Sequence, residues 1–332
     1  MTEADAKALP AEGSVLLEAT DIIKRFPVGR TLFGKPREWL HAVDGVSLSI
    51  KRGETVGLVG ESGCGKSTFG RVMIRTLEPE SGSLIFGGED ITHAAGERMR
   101  ALRSRFQMVF QDPMGSLDPR MTVGESIAEP LVIADVGRSR ERREKAREML
   151  DLVGLGGDYA DRYPHQFSGG QRQRICIARA LVMRPEFIVA DEPVSALDVS
   201  VRAQVINLFE DVQERFGLTY LFISHDLSVV RHVADKVVVM YLGKIVESGA
   251  ARPLLDDPRH PYSEALLAAV PPARPQTVRR AALIKGDLPS PMNPPAGCRF
   301  HPRCPIAVER CRHEEPRLRP IDKDRHAACH LA

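Results

Sequence analysis

Gly60-Glu61-Ser62-Gly63-Cys64-Gly65-Lys66-Ser67 decides how this chain is read. It fits G-x-x-x-x-G-K-[ST], the pattern of a loop that cradles phosphates. A triphosphate carries several negative charges and has to be held against backbone N–H groups. Glycines let the main chain curl around it without Cβ clashes. Lys66 supplies a mobile positive charge for the β- and γ-phosphates, and the Ser67 hydroxyl can ligate Mg²⁺. Before the loop, Glu54-Thr55-Val56-Gly57-Leu58-Val59 reads as a buried strand. After it, Phe69, Val72, Met73 and Leu77 recur at helical spacing, and Pro79 with Gly82 is expected to stop that helix. A strand–loop–helix unit of this kind aims a helix N-terminus at the phosphates.

Farther along the chain a strand delivers an acidic pair. Phe187-Ile188-Val189-Ala190 is an apolar run ending in Asp191-Glu192-Pro193. A buried strand that terminates in aspartate suits Asp191 to hold Mg²⁺ and Glu192 to polarise water as a general base. Tyr220-Leu221-Phe222-Ile223 is a further buried strand, followed by Ser224-His225-Asp226. Gln107-Met108-Val109-Phe110 delivers Gln111 to a strand end, the edge where open α/β sheets bind ligands. Ser168 is placed to N-cap a helix, with Gly169 and Gly170 baring the N–H groups beside it, which makes a second anion-binding terminus.

The remaining stretches set the frame. Val15 to Ala19, Ile22 to Phe26 and Val43 to Ile50 read as strands of an antiparallel layer, and Pro27 to Pro36 as a loop or hairpin tip. Leu84 to Phe86 adds a short strand. Phe26 is either an aromatic platform for a base or a packed core residue, and the residues alone favour packing. From Pro113 to about Pro185 the composition turns helical, and Arg138 to Arg147 reads as a solvated helix face. Val237 to Tyr241 and Lys244 to Val246 form an expected final hairpin turning near Gly243, with Gly249 closing the domain.

The chain has 332 residues, 43% of them apolar and 27% charged, enough for one large domain and an appendage or for two domains. Its net charge of +2 gives no case for a nucleic-acid partner. No apolar run approaches the roughly 18 residues that span a bilayer, and Met1 to Ala6 carries no signal-peptide pattern. A cytoplasmic location follows as the expectation, with partner proteins bringing the chain to a membrane. Four of the six cysteines, Cys298, Cys304, Cys311 and Cys329, fall near the C-terminus as C-x5-C-x6-C-x17-C. A reducing compartment favours a metal over disulfides there. Thiolates suit Zn²⁺ or an iron–sulfur cluster. The spacings are wider than a paired zinc knuckle, and four unligated thiols remain open. His301, His313, His326 and His330 keep zinc in play.

In this order, the P-loop, Gln111, Ser168-Gly169-Gly170-Gln171, Asp191-Glu192, Ser195-Ala196-Leu197-Asp198 and His225 resemble the ABC-transporter ATPase family over residues 15–250. The resemblance implies an α/β P-loop NTPase with an antiparallel β-subdomain and a helical subdomain at about 113–185. It implies ATP and Mg²⁺ as ligands, contacted by residues 60–68, that is Gly60, Glu61, Ser62, Gly63, Cys64, Gly65, Lys66, Ser67 and Thr68. Phe26 matches the adenine-stacking aromatic, Gln111 the Q-loop that touches Mg²⁺ and couples to membrane subunits, Asp198 the D-loop, and His225 the switch histidine. In such proteins two ATPase subunits face head to tail, so Ser168, Gly169, Gly170 and Gln171 would serve a nucleotide held by the partner. Arg259-His260-Pro261-Tyr262-Ser263 opens a Pro/Cys-rich extension over 253–332 containing Pro271, Pro272, Pro275, Pro289, Pro291, Pro294 and Pro295. With Tyr163-Pro164-His165-Gln166-Phe167, it is similar to the oligopeptide/dipeptide-permease ATPases, and to their second ATPase component in particular. Residues 1–14 read as a disordered leader, and the similarity implies an ATPase domain at 15–252 and peptide import at the cytoplasmic face of the inner membrane. The implied partners are a second homologous ATPase (a heterodimer), two transmembrane permease subunits and, indirectly, an extracytoplasmic binding protein. Nickel, glutathione or sugar import stays open within the family. A similar four-cysteine tail there is associated with a [4Fe–4S] cluster, with Zn²⁺ the alternative. A soluble ABC ATPase of translation or repair would carry two cassettes or a coiled coil. A regulatory nucleotide-binding module would lack Asp191-Glu192 or His225.

Overall fold

The computed structural model describes residues 13–30, 36–269 and 286–332. Most of the expected leader, and Pro271, Pro272 and Pro275 of the tail, lie outside them. The chain opens with two long strands, β1 (Val15–Arg30) and β2 (Pro36–Lys51), paired antiparallel from Val15 opposite Lys51 to Arg30 opposite Pro36. The stretch expected as a loop from Pro27 is therefore strand as far as Arg30. Ladder pairing at Pro27, opposite Trp39, and at Val28, opposite Glu38, extends the hairpin. Next come β3 (Thr55–Val59), α1 (Lys66–Met73), β4 (Ser81–Phe86), β5 (Glu89–Asp90), α2 (Gly96–Arg103) and β6 (Phe106–Val109). Sheet order β2-β1-β4-β5 makes the expected antiparallel layer.

Helix α1 ends sooner than its apolar spacing suggests. The chain leaves it at Ile74, and Arg75 takes φ +54 with its buried guanidinium donating to the carbonyls of Ile91 and Ala94. Leu77 packs against the core from beyond the helix, so Pro79 and Gly82 stop nothing.

A helical region follows, with α3 (Pro113–Ser116), α4 (Val123–Ile133), α5 (Ser139–Leu152) and α6 (Gly169–Leu181). The charged stretch from Arg138 forms α5 and buries only Ala146 and Leu150, as a solvated face does. Then come β7 (Phe187–Asp191), α7 (Val199–Phe216), β8 (Thr219–Ile223), α8 (Leu227–Val233), β9 (Lys236–Tyr241) and β10 (Lys244–Ala250). Strands β3, β7 and β8 are buried at every position, which is why they read as unbroken apolar runs. The large sheet runs β9-β3-β8-β7-β6 with all neighbours parallel. Its C-terminal edge carries the P-loop after β3, Asp191-Glu192 at β7 and His225 past β8, with Gln111 two residues past β6. Three apolar cores pack on the sheet. One, around Phe69, Phe86 and Leu221, joins it to the antiparallel layer; the second, around Ile127, Ile175 and Phe209, joins it to the helical region; the third, around Tyr241, Tyr262 and Phe300, joins it to the C-terminal segment.

The C-terminal segment is knitted into this sheet. It comprises α9 (Ala251–Asp256), α10 (Pro261–Ala268), α11 (Arg310–His313) and two short strands, β11 (Arg319–Asp322) and β12 (Arg325–Ala327). Strand β12 pairs with β10, Glu247 opposite Ala327, so the sheet does not close at Gly249. Glu247 is fully buried; it meets Arg325 at 3.1 Å and accepts the N–H groups of Arg259 and His260, each at 2.9 Å. Removing one partner of a buried pair strands the other charge, at about 3–5 kcal/mol. Arg325→Met is expected to lower unfolding free energy by about 3 kcal/mol in urea titrations, and Glu247→Gln added to it to restore only part of the loss, since the amide removes the stranded charge but keeps one acceptor for the two N–H groups.

His260 is also buried, and its Nδ1 accepts the Tyr262 N–H. Burial pulls the imidazole down to about 4, against the Ala328 backbone, which favours the charged form. The folded state thus resists a proton that the unfolded chain binds near pH 6.5, so this contribution is complete above pH 6.5 and lost as pH falls through 4. Stability is expected to drop by about 3 kcal/mol across that window. His260→Asn, which keeps an acceptor without the ring's titration, is expected to flatten the pH dependence in thermal melts.

Candidate functional site

The P-loop is held by close packing against its neighbours. Gly65 sits at φ +108, and a Cβ there would lie 1.9 Å from the Ala42 carbonyl oxygen, so only glycine fits. Lys66 is buried, and its Nζ donates to the carbonyls of Gly60 at 2.8 Å and Glu61 at 2.9 Å. Those are the contacts the ammonium would exchange for phosphate oxygens. Cys64 is buried, and burial raises its thiol despite Lys66 nearby. Ser62 and Gly63 are exposed at the rim, while Ser67 and Thr68 are half-buried in the first turn of α1.

Ser67 Oγ donates to Asp191 Oδ1 at 2.8 Å, so a hydroxyl and a carboxylate far apart in sequence meet at the sheet edge. Burial pushes the Asp191 carboxyl up, and the charge of Glu192 adds to this. A carboxylate so placed beside a hydroxyl is a donor set of hard oxygens, and it fits Mg²⁺. Gln111 is exposed and lines one cleft with Ser67 and Asp191. Next along the edge, Glu192 takes φ +49, and its Oε2 lies 3.1 Å from His225 Nδ1. The Glu192 side chain is 15% exposed and that of His225 58%, so the carboxylate is sheltered and the imidazole faces out. Ser195 Oγ donates back to the Glu192 carbonyl at 3.0 Å, and Asp198 is exposed at the N-cap of α7.

Ser168 caps α6 as expected. Its Oγ accepts the Gln171 N–H at 3.3 Å while Gln171 Oε1 accepts the Ser168 N–H at 2.9 Å. Gly170 has a second reason to be glycine, since a Cβ there would meet Val201 Cγ1 of α7 at 2.1 Å. Gly169 and Gln171 are exposed at this helix start. Phe26 pairs opposite Leu40 on the hairpin, half-buried, with the Lys24 ammonium 5.5 Å from its ring centroid. It lies outside the core clusters of the described residues, so core packing does not account for it.

The four tail cysteines are all unpaired. Burial pushes the Cys298 thiol up to about 11, and Cys311, Cys304 and Cys329 lie near enough to raise it further. Among the described residues, however, no three of His, Cys, Asp and Glu come together as a metal-holding group. The expectation of a [4Fe–4S] cluster or Zn²⁺ at Cys298, Cys304, Cys311 and Cys329 finds no support in this arrangement. Cysteine spacing says which thiols are close along the chain, not whether their sulfurs converge. Two residues that the sequence reading passed over, Tyr262 and Arg303, touch the P-loop through Glu61. They lie 201 and 242 residues along the chain from Glu61, so no local pattern signals the contact.

The fold and this edge define an ABC-transporter nucleotide-binding domain. The ABC transporter family model matches residues 43–195. Dimeric ATP-binding cassette MJ0796 bound to ADP and Pi is 29% identical with a TM-score of 0.63, covering 71% of this chain and 99% of that one. CbiO1 from Clostridium perfringens, part of the ABC transporter complex cbiONQ, is 27% identical at the same TM-score, covering 74% and 92%. More narrowly, the oligopeptide/dipeptide transporter C-terminal region matches residues 246–311. The oligopeptide transport ATP-binding protein AppF of Bacillus subtilis is 54% identical, covering 97% of this chain and 98% of its own. The di/tripeptide transport ATP-binding protein DppF of Pseudomonas aeruginosa is 50% identical, covering 96% and 98%. The chain belongs to the ABC transporter family, in the branch of these peptide-transport ATP-binding proteins, and is an ABC-type ATPase. No helix among the described residues is long and apolar enough to cross a membrane.

Proposed function

We propose that this chain is the ATP-hydrolysing motor subunit of an importer of dipeptides and oligopeptides. The observation that carries the chemistry is the Glu192–His225 contact at 3.1 Å, beside the Ser67–Asp191 contact on the same sheet edge. Lys66 and the P-loop amides hold the β- and γ-phosphates, and Phe26 offers its ring to the adenine. Ser67, Asp191 and Gln111 would hold Mg²⁺, which would spread the charge of the phosphates. Glu192 accepts a proton from the attacking water. His225 orients Glu192 and then contacts the γ-phosphate. Phosphoryl transfer of this kind needs positioning and electrostatics more than covalent chemistry. Ser168, Gly169, Gly170 and Gln171 serve a nucleotide bound by a second, homologous ATPase, with Asp198 at the seam between the two.

Peptide import rests on the names of the relatives and on the matching C-terminal region. In this reading two permease subunits and, beyond them, an extracytoplasmic binding protein belong to the same system, and this chain works at the cytoplasmic face of the inner membrane. A metal at the tail cysteines forms no part of the proposal. Affinity purification from detergent-solubilised membranes is expected to bring down two multi-spanning proteins and a second ATPase, and the reconstituted assembly to take up labelled dipeptide. Uptake of nickel, glutathione or a sugar in place of peptide would overturn the substrate assignment.

A further inference from the structure

Glu61 of the P-loop has partners from two directions: two come from the far end of the chain and two from the loop itself. Tyr262 Oη of α10 accepts the Glu61 N–H at 2.8 Å. Arg303 forks onto the Glu61 carboxylate, Nη1 to Oε2 at 2.9 Å and Nη2 to Oε1 at 3.1 Å. Within the loop, the Glu61 carbonyl accepts Lys66 Nζ at 2.9 Å and the Cys64 N–H at 3.3 Å. Both outside residues are firmly seated. The Arg303 side chain is 10% exposed and also reaches Tyr241 Oη at 3.4 Å. Tyr262 is fully buried against Tyr241 and Phe300, at centroid distances of 4.6 and 5.5 Å. The turn bearing Arg303 is fixed in turn by Arg299, which pairs with Asp44 and the Leu242 carbonyl.

We propose that Arg303 and Tyr262 are positioning residues of the nucleotide site, through which the C-terminal segment holds the P-loop in its phosphate-ready shape. The need arises because Lys66 cannot bond phosphate oxygens and the Gly60 and Glu61 carbonyls at once. When it turns to the nucleotide, the Glu61 carbonyl is left with the Cys64 N–H alone inside the loop, at 3.3 Å, and Arg303 and Tyr262 keep the loop from relaxing. A bidentate Arg–carboxylate pair suits this because it fixes direction as well as distance. The proposal rests on the reading of residues 60–67 as the ATP site.

Titration of the purified full chain with mant-ATP and Mg²⁺ tests it, alongside thermal melts without nucleotide and ATPase kinetics of the reconstituted assembly. Tyr262→Phe, which keeps the buried ring, is expected to weaken nucleotide binding about 5-fold, and Arg303→Gln about 10-fold. Both are expected to raise KM for ATP while kcat stays within about 2-fold, with Arg303→Lys recovering part of the loss. Glu61→Gln breaks the same pair from the P-loop side without touching the C-terminal segment. The double variant Glu61→Gln/Arg303→Gln is expected to bind no more weakly than the worse single. Wild-type affinity in Tyr262→Phe and Glu61→Gln, or additive losses in the double variant, would overturn the proposal. If the wild-type chain itself did not bind mant-ATP, the nucleotide site would fail instead.

Discussion

Glu192→Gln is expected to bind ATP normally and to hydrolyse it at least about 100-fold more slowly, the scale of a lost general base. The change is nearly isosteric. The amide keeps the size of the side chain and its contact with His225, now 3.1 Å from the carboxylate, but has no basic oxygen for a water proton. The left-handed backbone at Glu192, φ +49, already burdens the native residue equally, so the substitution adds no new strain. Phosphate release from the reconstituted assembly, paired with mant-ATP titration, reads both halves. Turnover near the wild-type rate would remove Glu192 from the role of base.

Lys66→Ala gives the opposite pattern, losing binding before chemistry. The ammonium is buried at the centre of the loop, with two carbonyls as its partners. Charge-assisted hydrogen bonds contribute about 1.5–3 kcal/mol each, so losing two of them on a triphosphate is expected to weaken affinity at least about 100-fold. The vacated carbonyls of Gly60 and Glu61 would then face the phosphates unshielded. Isothermal titration with MgATP checks this, and an affinity within a few-fold of wild type would mean that Lys66 does not reach the nucleotide. Together the two variants separate the residue that holds ATP from the residue that cleaves it.

The parts that were legible in the sequence are those fixed by local chemistry. A phosphate loop, a strand ending in Asp191-Glu192 and a helix capped by Ser168 each announce themselves within a few residues, because their constraints are backbone curvature, an apolar run and a capping hydroxyl. What escaped depends on residues distant in sequence. The ion pair that stitches β12 to β10 joins Glu247 to Arg325, and the strand itself is Arg-His-Ala, which carries no strand signal. The end of α1 is set by Arg75 reaching carbonyls at Ile91 and Ala94, not by the residues around it. For the same reason neither the arrangement of the tail cysteines nor the role of Arg303 is legible along the chain. Spacing along the chain carried neither the positions of the four sulfurs nor the fork onto Glu61.

The central claim is that ATP is clasped between two chains, with Lys66 on one side and the Ser168 helix start on the other. The direct measurement is a cryo-electron microscopy structure of the Glu192→Gln assembly locked with ATP and Mg²⁺. The account predicts Ser168 and the Gly170 N–H of this chain at hydrogen-bond distance from the γ-phosphate of the nucleotide seated on the partner ATPase. A nucleotide enclosed by one polypeptide alone, with Ser168 facing solvent, would contradict it.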